Sequence, residues 1–140
     1  MSHVSMLLVE DNPGDVVLFR EALDATGVAA TVHVVEGGDE AICFLRRQQR
    51  FGEAPRPHVV VLDLNIPRRN GGEVLAEMAA DPALNSIPVA ILTTSASEAH
   101  LCEMYPRGRC QYFIKTGDFK RLQDLVRSIT AHAKTGQQSP

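Results

Sequence analysis

Val59-Val60-Val61-Leu62-Asp63-Leu64-Asn65 is the stretch on which the fold turns. Four apolar residues, three of them β-branched, run without a polar break into one aspartate. A run apolar on both sides predicts a strand covered on both faces, as in a parallel sheet packed between helices. Asp63 then falls where that strand ends. In open α/β sheets, ligands bind in the crevice beyond the carboxyl ends of the strands.

The flanking sequence repeats the pattern. Val4 to Val9 predicts a first strand, which runs into the acidic, turn-rich Glu10-Asp11-Asn12-Pro13-Gly14-Asp15. Val16, Leu18, Phe19, Ala22 and Leu23 have helical spacing, and Gly27 stops that helix. Thr31 to Val35 alternates and predicts a second strand nearer a sheet edge. Ala41, Ile42, Phe44 and Leu45 mark a second helix that ends in a basic face from Arg46 to Arg50. His58 to Leu64 is the central strand, followed by a turn-forming loop from Ile66 to Gly72. Val74, Leu75, Met78 and Ala79 form a third helical stripe, disrupted by Asp81-Pro82. Pro88 to Leu92 predicts a fourth strand ending in Thr93-Thr94-Ser95, and a fourth helix is expected over Ser97 to Met104. Gln111 to Ile114 predicts a fifth strand that ends at Lys115. The last helix starts near Asp118 and carries Leu122, Leu125, Val126 and Ile129, and the tail from Lys134 to Pro140 is expected to fray. Five alternations of strand and helix predict a flavodoxin-like (βα)5 fold, a doubly wound parallel sheet in the order 2-1-3-4-5.

Composition agrees. A chain of 140 residues favours one domain, here residues 1–140 with a core from about 4 to 133, and can bury that core without staples. The 44% hydrophobic and 22% charged residues are those of an ordinary soluble protein. A net charge of −3 argues against nucleic-acid binding through overall basicity. Cys43, Cys102 and Cys110 are odd in number and form no CxxC pair, which fits a reducing compartment rather than a disulfide scaffold or zinc site. The five histidines show no metal-binding spacing. With no signal peptide and no apolar run of membrane-spanning length, the expectation is a cytoplasmic protein without a membrane partner.

The polar residues gather at the predicted strand ends. The first strand ends in Glu10 and Asp11, the third in Asp63 with Asn65 two residues on, the fourth in Thr93, the fifth in Lys115. Three carboxylates in one crevice repel, and a cation would neutralise them. Hard oxygen ligands suit Mg²⁺, with Mn²⁺ as the alternative. Lys115 adds a compact positive charge and Thr93 a hydroxyl. Together they describe a pocket for a phosphoryl group on Asp63, a nucleophile whose transferring oxygens the cation and Lys115 would stabilise. Singly, the members have bland explanations. Glu10 and Asp11 could cap the following helix, Lys115 could be a surface lysine and Thr93 an ordinary strand residue. Asp63 resists that treatment, because a buried strand rarely ends in a charge without a reason.

Leu8-Val9-Glu10-Asp11-Asn12, Val61 to Pro67, Gly71, Leu92-Thr93 and Ile114-Lys115 jointly resemble the receiver (response regulator) domain of two-component signalling, from about Val4 to Ala133. The resemblance implies that Asp63 is the phosphoacceptor. It implies that Glu10, Asp11, Asp63 and the backbone carbonyl of Asn65 hold Mg²⁺. Thr93 would be the switch hydroxyl and Tyr112 the switch aromatic, while Asn65 and Ser95 occupy positions that tune phosphoryl lifetime. Leu62 to Pro67, Leu92-Thr93-Thr94-Ser95 and Ile114-Lys115-Thr116 are similar to small single-domain regulators that serve phytochrome-type histidine kinases. Three departures stand out: Thr116 replaces the usual proline, Thr94 the usual alanine, and Pro106-Arg107-Gly108-Arg109-Cys110 the usual Gly-Ala before the fifth strand.

The implied function is a phosphoryl switch that accepts its group from a sensor kinase's phosphohistidine. The domain would catalyse its own phosphorylation and dephosphorylation without being a metabolic enzyme. The surface of the fourth helix, fifth strand and last helix would shift as Thr93 moves and Tyr112 turns inward. With no output domain expected, signalling would pass to a downstream protein. The alternatives in the same class are a phosphorelay intermediate and a phosphate sink. Homodimerisation through the fourth to last helices is a further expectation. The arginines at 46, 47, 50, 68, 69, 107 and 109 suit either an acidic kinase surface or solvated faces. Rivals from other classes fit less well. An aspartate-nucleophile phosphohydrolase commonly wants a second aspartate where Asn65 stands. A pure interaction module does not need the complete acidic set. A flavin carrier would have more aromatics and a glycine-rich phosphate loop.

Overall fold

The computed structural model describes residues 3–64 and 71–135. Within them five strands pair in parallel: β1 (Val4–Val9), β2 (Ala30–Val35), β3 (Val59–Asp63), β4 (Val89–Thr93) and β5 (Cys110–Ile114). Their order is β2-β1-β3-β4-β5, the expected flavodoxin-like order. The α-helices are α1 (Pro13–Thr26), α2 (Gly38–Leu45), α3 (Gly71–Ala80) and α4 (Phe119–Thr135). Short 3₁₀ turns cover Gln49–Phe51 and Ala96–Met104.

β1, β3 and β4 are buried throughout, because helices cover both faces of the sheet. The period of two divides their side chains between two cores. Leu7, Val9, Val60, Leu62, Val89 and Ile91 pack with Ala41, Ile42 and Phe44 of α2 and Val74, Leu75 and Met78 of α3. Met6, Leu8, Val59, Val61, Ala90 and Leu92 pack with Phe19, Ala22 and Leu23 of α1 and Val126, Ile129 and Ala133 of α4. Asp63 is in phase with Val59 and Val61 and so belongs to the α1–α4 side. Thr93 is in phase with Val89 and Ile91 and belongs to the other.

Local chemistry sets the helix limits. The Asn12 side chain accepts the N–H groups of Gly14 and Asp15 at 2.9 and 3.2 Å, and Pro13 needs no donor in the first turn. Gly27, at φ 75°, closes α1 in the left-handed conformation, as the sequence predicts. Asp118 accepts the N–H groups of Lys120 and Arg121 at 2.9 and 3.1 Å and starts α4.

Three expectations are corrected. The fourth helix is a 3₁₀ run over Ala96–Met104, in which no residue is fully buried. Only Leu101 and Cys102 of that stretch pack against the core, which is little to hold it in regular α form. The second helix ends at Leu45, before the arginines, and the chain turns at Arg47 and Gln49, both with φ 54°. Lys134 and Thr135 continue α4, with the Thr135 hydroxyl donating to the His132 carbonyl at 2.7 Å. The rest of the tail lies outside the described residues.

Candidate functional site

The parallel register delivers the polar residues to one edge. Val9 pairs with Leu62, so Glu10 and Asp63 come next on adjacent strands. Asp63 pairs with Leu92, Thr93 pairs with Ile114, and the Lys115 N–H donates to the Thr93 carbonyl at 2.8 Å.

Asp63 and Glu10 are each 3% exposed. The carboxylate oxygens of Glu10, Asp11 and Asp63 lie within 4.8 Å of one another, with Asp11 reaching in from the exposed turn. Lys115 crosses this cluster. Its Nζ donates to Asp63 Oδ2 at 2.8 Å, Glu10 Oε1 at 3.2 Å and Asp15 Oδ2 at 3.3 Å. The electrostatics follow from crowding. Burial, then the hydrogen bond and negative charge of Asp63, push the Glu10 carboxyl up to about 7, against the pull of Lys115 and the Asn12 N–H. Burial pulls the Lys115 ammonium down, but Asp63 and Glu10 together outweigh it and hold the ammonium above its ordinary value. A buried carboxyl pushed up by desolvation and by Asp63, beside two more hard oxygen donors, is the chemistry a divalent cation relieves. The residues present therefore fit Mg²⁺ or Mn²⁺.

Thr93 is 1% exposed. Its Oγ1 donates to Glu98 Oε1 at 2.7 Å, with the Ser95 carbonyl a longer second acceptor at 3.2 Å, and accepts the Ser95 N–H at 3.1 Å. The Ser95 hydroxyl instead accepts the Ser97 N–H at 3.2 Å. Tyr112 points outward on β5, 42% exposed. Asn65 lies outside the described residues. Gly71, at the start of α3, approaches β3 so closely that a Cβ would sit 2.8 Å from Leu64 Cα and 3.0 Å from the Asp63 carbonyl.

The structure thus brings Glu10, Asp11, Asp63 and Lys115 together as the sequence anticipates, and it turns the Thr93 hydroxyl toward Glu98. Sequence reasoning passed over two residues at the site, Asp15 and Glu98. Asp15 stood in the quoted acidic cluster but carried no motif of its own. Glu98 stood in an unremarkable polar stretch. Several arginines are committed within the fold: Arg46 to Glu77 at 2.6 Å and Asp81 at 3.4 Å, Arg50 to Glu40, and Arg109 to the Ser86 carbonyl at 2.9 Å. Arg68 and Arg69 lie outside the described residues.

Comparison with known proteins places this geometry. Response regulator Rcp1 of Synechocystis sp. is 36% identical over 124 residues, 89% of this chain and 84% of that protein. The solved structure of the phosphorylated cyanobacterial phytochrome response regulator RcpA matches with a TM-score of 0.81 at 35% identity, over 99% of this chain and 96% of RcpA. The Mn²⁺-bound form of Rcp1 matches with a TM-score of 0.78 at 34% identity, over 91% and 92%. The family model of the response regulator receiver domain matches residues 6–127. With those residues matched and the strand-end cluster in place, the chain belongs to the response regulator receiver family.

Proposed function

We propose that this chain is a phosphoryl switch in which Asp63 is the phosphoacceptor. The observation that carries the reading is the ion-paired cluster at the strand ends: Asp63 bound by Lys115 and flanked by Glu10 and Asp11. An Asp63 carboxylate oxygen attacks the phosphorus of a kinase phosphohistidine. A P–O bond forms as the P–N bond breaks, and the imidazole leaves. Glu10, Asp11, Asp63 and the Asn65 backbone carbonyl would hold Mg²⁺, which when bound supplies charge neutralisation at the transferring oxygens. Lys115 then exchanges a carboxylate partner for a phosphoryl oxygen, and Thr93 offers its hydroxyl to another. The acyl phosphate is later hydrolysed at the same site, so the domain is a signalling phosphoacceptor rather than a metabolic enzyme.

Similarity to Rcp1 and RcpA supports a sensor histidine kinase of the phytochrome type as the donor. The output surface is the Ala96–Met104 segment, β5 and α4, where Tyr112, Ile114 and Phe119 are exposed at 42%, 45% and 40%. Ser95 and Asn65 would tune phosphoryl lifetime. The same face is proposed to form the homodimer, and light scattering showing a strict monomer with and without a phosphoryl mimic would remove that part. Among the described residues no helix is long and apolar enough to cross a membrane, in keeping with a cytoplasmic site of action.

The test is intact-protein mass after incubation with Mg²⁺ and acetyl phosphate. One phosphoryl adduct is expected, absent in Asp63→Asn and absent without the metal. If neither acetyl phosphate nor a phosphorylated kinase transfers to Asp63, the proposal fails.

A further inference from the structure

The Thr93–Glu98 hydrogen bond deepens this reading and rests on it. We infer that Glu98 is a latch: its carboxylate holds the Thr93 hydroxyl in the unphosphorylated arrangement and ties the Ala96–Met104 segment to the site. A threonine hydroxyl has one proton. While Thr93 donates to Glu98 Oε1 at 2.7 Å, it has no proton to give a phosphoryl oxygen on Asp63. The Ser95 N–H donates to the same oxygen at 3.1 Å and helps fix its orientation. A bond to a carboxylate is charge-assisted and stronger than the longer alternative, the Ser95 carbonyl at 3.2 Å.

The position of Glu98 gives this bond its reach. Glu98 lies in the first turn of the 3₁₀ segment, none of whose residues is fully buried. Leu101 and Cys102 only lean on the core. A segment so lightly packed takes much of its placement from polar tethers such as this one. When phosphoryl oxygens compete for the Thr93 proton, the tether breaks, and the segment beside β5 is released. Glu98 is thus a positioning residue that acts through Thr93. It opposes activation by stabilising one of two arrangements.

The experiment measures binding of beryllofluoride, with Mg²⁺, as a phosphoryl mimic, followed by the amide resonances of Thr93 and Ser95. Glu98→Ala, which removes the acceptor outright, is expected to lower the half-saturating concentration roughly three- to tenfold, the range of one hydrogen bond. Glu98→Gln keeps an amide oxygen that accepts but loses the charge assistance, so it should shift the concentration in the same direction by a smaller factor. Glu98→Gln in a Thr93→Ala background should change nothing, whereas a merely structural role would shift both backgrounds alike. Equal affinities for the native protein and both Glu98 variants would overturn the latch while leaving the phosphoryl switch intact. A native protein without any Asp63-dependent response would remove the switch and the latch with it.

Discussion

Lys115 Nζ donates to Asp63 Oδ2 at 2.8 Å across 52 residues of sequence, and that bond joins the ends of β3 and β5 although β4 lies between them. Lys115 reaches Glu10 and Asp15 with the same ammonium, so one cation offsets three carboxylates. Replacing it with methionine keeps most of the stem and deletes the charge. Removing one partner of a buried pair costs about 3–5 kcal/mol, and the partial exposure of Lys115 reduces this to about 1–3 kcal/mol. We expect Lys115→Met to lower the urea midpoint accordingly, with Mg²⁺ recovering part of the loss. A midpoint equal to the native one in chelator would show that the carboxylates do not depend on this cation.

Gly71 tests how closely α3 must approach the phosphoacceptor strand. A Cβ there would meet Leu64 Cδ2 at 2.7 Å, Leu64 Cα at 2.8 Å and the Asp63 carbonyl at 3.0 Å. Two of these atoms are backbone, so a side-chain rotation does not relieve the clash. Gly71→Ala is expected to cost about 1–3 kcal/mol, as overpacking does. Because the displaced backbone is that of Asp63, phosphorylation by acetyl phosphate should slow as well. Native stability and native rate together would show that α3 can move away freely.

Asn12 joins the acidic turn to α1. Its side chain caps two N–H groups of the first turn, and its own N–H donates to Glu10 Oε2 at 3.3 Å. Asn12→Ala should cost about 1 kcal/mol in thermal or urea unfolding, while Asn12→Asp, which keeps the acceptor, should stay near native. Equal losses in both variants would mean that capping is not what Asn12 contributes.

Residues whose role depends on chain-local pattern were legible in the sequence. The unbroken Val59–Leu62 run announces a strand buried on both faces, and Asp63 stands out because it ends that run. Gly27 and Asp118 mark helix limits through their own backbone and side-chain chemistry. What was not legible depends on which side chains meet across the fold. Glu98 reaches Thr93 only because the chain after β4 turns tightly through Ser95. Asp15 reaches Lys115 only because α1 packs beside the strand ends. Arg46 looks like part of a free basic face until Glu77 of α3 and Asp81 just beyond its end come against it. The helix expected over Ser97 to Met104 takes the 3₁₀ form over Ala96–Met104, where only Leu101 and Cys102 pack against the core.

His132 ties α4 to the end of the sheet opposite the acidic site, and it makes stability depend on pH. The ring is 2% exposed, and Nε2 lies 3.0 Å from the Val89 carbonyl and 3.2 Å from the Arg109 carbonyl. Both partners are acceptors, so Nε2 carries the proton and donates, and Nδ1 is left buried without a partner. Burial holds the ring below its ordinary value of 6.5, against the opposing pull of the two carbonyls. The folded ring therefore stays neutral at pH values where the unfolded ring takes up a proton. This contribution to stability is complete above 6.5 and is lost as pH falls through 6.5 toward the folded value. His132→Gln retains an N–H donor and does not titrate. Urea midpoints recorded from about pH 7.5 down to about pH 5 should fall more steeply for the native protein than for the variant. Parallel curves would mean that the buried ring is protonated as easily folded as unfolded, and that a water or a local opening satisfies Nδ1.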